Sequence, residues 1–276
     1  MLIDIHCHLD HFYYKDDLNE VIKRAEKENV LVVTNGVDFH TNNFSLELAR
    51  KHKNIKVALG LYPEDALDRE VYFEEQLNKT EINAGSSKKS IKEVLEQMEK
   101  HKNEFIAFGE IGLDLFNGKK IEEQKQKLGE IIKLAVKLNK PLILHSRKAE
   151  KELIEFLKEF NLNPDKVILH CFSGRKSLIK EAIERGYNFS IPTNIARNET
   201  FQFIVQTAPL NQLFTETDAP YLSPYKNPDG SFNRNEPINV KETIKFMAKI
   251  KNLPEAEIEK QIENNFKRVF LKARFK

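Results

Sequence analysis

The chain has 276 residues, 40% of them hydrophobic and 31% charged, with a formal net charge of +2. That length supports one large core, and the near balance of charge neither demands nor excludes an anionic partner. No apolar stretch approaches the roughly 20 residues that span a bilayer, and no basic leader opens the chain, so a soluble, cytoplasmic protein is expected.

The first predicted strand, Leu2–His8, is an apolar run carrying two histidines one residue apart. Alternate residues of a strand share a face, so His6 and His8 point the same way and can chelate one cation. Further strands are predicted at Val30–Gly36, Ile55–Leu61, Phe105–Leu113, Pro141–Ser146, Lys166–Phe172, Tyr187–Pro192 and Leu213–Asp218. Amphipathic stretches separate them. The clearest, Ile121–Leu138, sets Leu128, Ile131, Ile132, Leu134, Ala135 and Leu138 on one face. Polar Leu77–Ser90 reads as a mobile surface insertion before a helix starting near Ile91, and Ser223–Pro237 reads as a long structured loop. Helical patterns run from about Glu236 to Lys249 and from Pro254 to Lys272. This rhythm implies an α/β fold with a parallel sheet. Eight repeats favour a TIM-type (β/α)8 barrel, one domain over residues 1–276, above a doubly wound open sheet. No glycine-rich phosphate fingerprint follows the first strand to support the latter.

In a parallel barrel every strand ends on the same face of the molecule. His6 and His8 end the first strand, Glu110 the fourth, His145 the fifth, His170 the sixth and Asp218 the eighth. Four imidazoles and two carboxylates exceed what one tetrahedral ion accepts, whereas two ions about 3.5–4 Å apart, bridged by a carboxylate, would use them all. The two cysteines, Cys7 and Cys171, each follow or precede a ligand histidine, so strand alternation turns both thiols away from the site, as buried small hydrophobes without a disulfide.

The segments Ile3–Asp10, Gly109–Asp114, Leu144–Arg147, His170–Gly174, Glu216–Leu222 and Arg234–Pro237 resemble, in content and order, those of the TatD family of metal-dependent deoxyribonucleases, within the amidohydrolase-like barrels. The resemblance implies that His6, His8 and Asp218 hold one divalent ion and His145 and His170 a second, with Glu110 bridging. A related branch bridges its metals through a lysine on strand four; Glu110 at that position favours phosphoester over amide cleavage. The family is associated with Mg2+, while imidazole-rich ligation favours Zn2+, Mn2+, iron or nickel. One departure stands out. Where the family has Gly-x-His-Pro-His, this chain has Gly60-Leu61-Tyr62-Pro63-Glu64. Tyr62 replaces a histidine associated with the substrate phosphate, and it can donate a hydrogen bond but is not a cation at neutral pH.

The activity so implied is hydrolysis of phosphodiester bonds in nucleic acid, DNA first and RNA as the alternative, by a metal-activated water, with Glu110 and Asp218 catalytic and Asp218 either taking or relaying the water's proton or serving as a ligand alone. Arg147, Tyr62 and Arg234 are the expected substrate contacts, within a basic rim that adds Lys148, Arg175, Lys176, Arg197 and Lys226. Aromatic residues gather in the same loops: Phe12, Tyr13, Tyr14, Tyr62, Phe116, Phe172, Tyr221 and Tyr225. A few of them stacking on bases would suit an exonuclease on single-stranded or frayed ends. A monomer is favoured. Two alternatives share the residues: a lactonase or amidohydrolase acting on a small molecule, and a nucleic-acid-binding protein with a vestigial metal site.

Overall fold

Near-continuous apolar runs such as Val30–Val33 and Leu142–Leu144 suit strands covered on both faces, the condition of a parallel sheet wrapped by helices. The computed structural model describes residues 1–63 and 89–271. Its eight strands lie parallel in chain order: β1 (Leu2–Cys7), β2 (Val30–Asn35), β3 (Ile55–Leu61), β4 (Ala107–Gly112), β5 (Leu142–His145), β6 (Val167–Leu169), β7 (Asn188–Ile191) and β8 (Leu213–Thr215). The expected (β/α)8 barrel is therefore found, nearly closed. Between β8 and β1 the seam is made by single contacts: Thr215 Oγ1 donates to Ile3 O (2.5 Å), Asp218 N to His6 O (2.9 Å) and His8 N to Ala219 O (2.7 Å).

Several strands end earlier than their apolar runs suggest. β6 stops at Leu169 and β8 at Thr215, where the chain leaves the ladder to aim polar side chains inward. Cys171 (φ 43°) and Asp218 (φ 54°) take left-handed backbone to do so. At Gly60 on β3 the neighbouring chains come so close that a Cβ would stand 2.1 Å from Gly36 O and 2.4 Å from Glu110 N and O. The lack of a side chain there lets β4 carry Glu110 against β3.

Helix Ile121–Leu138 buries Leu128, Ile131, Ile132, Leu134 and Ala135 against the barrel, as its periodicity predicts, and stops at Asn139 in the left-handed conformation. Most of Leu77–Ser90 lies outside the described residues, as does Glu64. Ser90 itself caps helix Ile91–Lys100: its Oγ accepts from Glu93 N (3.3 Å) while Glu93 Oε2 accepts from Ser90 N (2.9 Å). Loop Ser223–Pro237 is ordered by a Lys226–Phe232 bridge. Pro237 opens a short 3-10 turn, which delays the following helix to Val240–Lys251. The last helix, Glu255–Phe266, runs into a π turn at Lys267–Leu271. Among the described residues no helix is long and apolar enough to cross a membrane.

Candidate metal centre

Asp4 and His6 alternate along β1 and share a face, and His8, one residue past the strand, turns to the same side. Asp4 sits beneath the histidines, fully buried, accepting from His6 N (3.2 Å), Thr217 N (2.9 Å) and Thr217 Oγ1 (2.6 Å). Burial raises its pKa well above the ordinary carboxylate value. It clips the segment after β8 to β1 and so sets where Asp218 stands.

Above it the side chains from five strand ends meet. His6 Nε2 and His8 Nε2 are 3.2 Å apart, and each lies 3.6 Å from Asp218 Oδ1. Glu110 stands between two pairs of histidines. Its Oε2 is 3.6 Å from His6 Nε2 and 3.3 Å from His8 Nε2; its Oε1 is 2.7 Å from His145 Nδ1 and 3.7 Å from His170 Nε2. Three sets of donors lie within 4.8 Å of one another: His6, Glu110 and His170; His6, His8 and Asp218; His170, Cys171 and Asp218. His145 belongs to none of these sets and joins the cluster through Glu110. The third set corrects the expectation for Cys171. β6 has ended before it, so strand alternation no longer applies, and the left-handed backbone turns its thiol to the site. Cys7 behaves as expected, buried with its thiol on Val33 O.

Three of the imidazoles are aimed from behind. His8 Nδ1 lies 3.1 Å from Asn35 O, His170 Nδ1 2.9 Å from Glu216 Oε2, and His145 Nε2 3.1 Å from Asp114 Oδ2. A proton held on each of those outer nitrogens leaves the inner one with its lone pair toward Glu110. Asp114 is held in turn by Tyr62, whose hydroxyl donates to Oδ2 at 2.6 Å, and by the backbone N–H groups of Phe116 and Asn117 on Oδ1. His6 Nδ1 is buried with no partner among the described residues. Sequence reasoning missed the roles of Asp4, Asn35, Asp114 and Glu216. The signal for three of them was present: they are acidic residues inside the strand-end segments that also carry the clustered side chains.

The electrostatics fit a cation site. Burial works against charge on His8, but Asp218 and Glu110 overcome it and hold its pKa well above an ordinary imidazole. Burial opposes charge on His145 as well, and Glu110 and Asp114 push it up to about 9. Burial disfavours a charged Glu110, yet His145, His6 and His8 pull its pKa well below the carboxylate norm. Protons shared between these imidazoles and carboxylates occupy the lone pairs that a divalent cation would take, so binding one releases protons. The nitrogen and oxygen donors suit a divalent transition ion.

The centre forms the floor of a cavity of about 600 Å3. Arg147 lines it, exposed, its guanidinium 3.9 Å from the Phe116 ring centroid. Tyr62 also lines it but is 3% exposed, and its hydroxyl, bonded to Asp114 and 3.0 Å from His145 Nε2, supports the histidine rather than reaching outward. Arg234 is a correction. It donates to both Asp17 oxygens (2.6 Å each), to Glu236 Oε1 (3.0 Å) and to Tyr13 O (2.7 Å), and it does not line the cavity. Two carboxylates and a carbonyl take up its donors, so it ties loop Ser223–Pro237 to the segment after β1. Arg197 likewise holds Ser223 O and Pro224 O.

The profile of the family described as TatD related DNase matches residues 3–271. The chain belongs to this family. Human deoxyribonuclease TATDN3 is 33% identical over 99% of this chain and 96% of its own length. A metal-dependent hydrolase of Methanocaldococcus jannaschii is 33% identical over 95% and 94%. Among solved structures, the TatD homolog YjjV from Escherichia coli superposes with a TM-score of 0.79 at 27% identity, covering 98% of both chains. A lactonase of Deinococcus radiodurans reaches a TM-score of 0.63 at 13% identity, a likeness of fold alone. This TatD-family protein is therefore a metal-dependent hydrolase, and its clustered His, Glu and Asp side chains are able to hold a metal.

Proposed function

We propose that this enzyme hydrolyses phosphodiester bonds in DNA, as an exonuclease on single-stranded or frayed ends, with two divalent cations in one centre. The observation that carries the proposal is Glu110, one carboxylate oxygen toward His6 and His8 and the other toward His145 and His170. That arrangement supports a shared ligand between a His6, His8 and Asp218 site and a His145 and His170 site. The name deoxyribonuclease borne by the human relative supports the substrate class. The imidazole-rich donors suit Zn2+ or Mn2+; the family resemblance points to Mg2+.

When bound, such cations acidify a water and offset the charge that grows on the phosphoryl oxygens. The chain's own residues supply the rest. Asp218, 17% exposed, has the most open carboxylate of the cluster and accepts the proton of the attacking water. The water oxygen bonds to phosphorus as the bond from phosphorus to a sugar oxygen breaks. Arg147, steadied on Phe116, presents its planar fork to a phosphate. Asp114 and Glu216 hold His145 and His170 in the required tautomers. The family match over residues 3–271 supports a single hydrolase domain across residues 1–276, and the proposed enzyme acts as a monomer. Two free cysteines suit the reducing cytoplasm.

The test is digestion of 5′-labelled single- and double-stranded DNA, and of RNA, with Mg2+, Mn2+ or Zn2+ added and Glu110→Ala as the blank. Stepwise shortening of the single strand, faster than the duplex and absent in the variant, is expected. Equal cutting by both proteins, or none with any metal, refutes the proposal.

A further inference from the structure

The strand order sets β1 and β8 side by side, with β4 and β5 across the barrel from them. The mouth therefore has two different walls. On the β8–β1 side, His11, Phe12 and Tyr13 lie against one another, with ring centroids 4.3 Å apart for Phe12 and Tyr13 and 4.6 Å for His11 with either. Tyr221, from the segment after β8, meets His11 edge-on at 5.4 Å, its hydroxyl 3.0 Å from His11 Nε2. All four line the cavity above Glu110 and Asp218, and Tyr13 and Tyr221 are 52% and 42% exposed. The opposite wall carries Arg147.

The aromatic wall is held in place before anything binds. Arg234 holds the carbonyl of Tyr13 at 2.7 Å, and Tyr14 Oη donates to Asn235 O at 2.5 Å. Exposed rings fixed beside a phosphodiester site offer a flat π surface that accepts any base without reading its edge. A cavity of about 600 Å3 accommodates a nucleotide between this surface and Arg147. A base inside a duplex is already stacked on both faces, so only an unpaired one gains from the contact.

We infer that Tyr13, backed by His11 and Tyr221, forms a stacking subsite for one unpaired nucleobase beside the scissile phosphate, and that this contact sets the preference for single strands. The inference rests on the phosphodiesterase reading above and specifies how that site selects its substrate.

The test uses fluorescein-labelled phosphorothioate oligothymidylate, which resists cleavage, and a series of the same strand with one thymine at a time removed. Affinity for the metal-loaded full chain is read by anisotropy. One abasic position is expected to weaken binding by about tenfold or more. Tyr13→Ala should weaken the intact strand by a similar factor and lose nothing further at that position, while Tyr13→Phe binds as wild type. The subsite is overturned if no position matters, if the wild type fails to bind, or if the losses from Tyr13→Ala and base removal simply add. Cleavage of unmodified strand is scored separately. Cutting without the stacking signature sinks the subsite alone, and the signature without cutting sinks the hydrolase reading alone.

Discussion

Replacing Glu216 by glutamine isolates what a buried partner does for a candidate ligand histidine. The carboxylate is fully buried and makes only accepting contacts: Oε2 takes His170 Nδ1 (2.9 Å) and Ser190 Oγ (2.5 Å), and Oε1 takes Cys171 N (3.0 Å). Burial opposes its charge, but His170 and its other donors hold its pKa at about 2. In Glu216→Gln one oxygen becomes an NH2 group, which cannot accept. If it faces Cys171, two buried N–H groups confront one another, at about 1–3 kcal/mol. If it faces His170, the ring must accept at Nδ1, and its proton moves to Nε2, where the lone pair for a cation is needed. Either outcome weakens metal binding by roughly 10–100-fold, or about 1.4–2.8 kcal/mol. Competition with a chromogenic chelator for Zn2+ or Mn2+ measures this, and urea unfolding of the metal-free proteins reports the stability share. Metal affinity within twofold of wild type would refute the assignment of Glu216 as the group that orients His170.

Gly60→Ala places a Cβ 2.1 Å from Gly36 O and 2.4 Å from the Glu110 backbone; backbone atoms cannot step aside, so a loss of roughly 3 kcal/mol or more is expected. An unchanged urea midpoint would contradict it. Asp17 has its pKa lowered from 3.8, first through the hydrogen bond from Arg234. A depressed carboxylate stabilises the fold above its unfolded pKa and loses that contribution as pH falls through the lower folded value. Asp17→Asn should therefore unfold at lower urea than wild type at pH 7, by about 1 kcal/mol for a partly exposed pair. The gap should begin to narrow near pH 3.8 and vanish only below the lower folded value, and a gap independent of pH would refute the linkage. Divalent metal at 100 times its Kd should add about 2.7 kcal/mol of stability and raise Tm by roughly 5–10 °C. Chelator reverses the shift, and Glu110→Ala should show little of it; identical melting of wild type with and without metal would argue against a centre that forms on folding.

Much of this molecule is written locally. The apolar runs that become β1 to β8, and the 3.6-residue spacing of Ile121–Leu138, report burial that neighbours along the chain share. That these side chains cluster was legible for the same reason: His6 and His8 share a face by alternation, and Glu110, His145, His170 and Asp218 lie at strand ends that a parallel barrel must gather on one side. Contacts between distant segments were not legible. Arg147 and Arg234 are chemically alike in the sequence, but one faces the cavity and the other meets Asp17 from 217 residues away. Cys171 turns inward because β6 ends two residues before it. Asp114 and Glu216 act on histidines 31 and 46 residues away. Periodicity decides which face of a strand a residue occupies; only closure of the barrel decides which partner waits there, because that choice depends on distances between chains that no local pattern encodes.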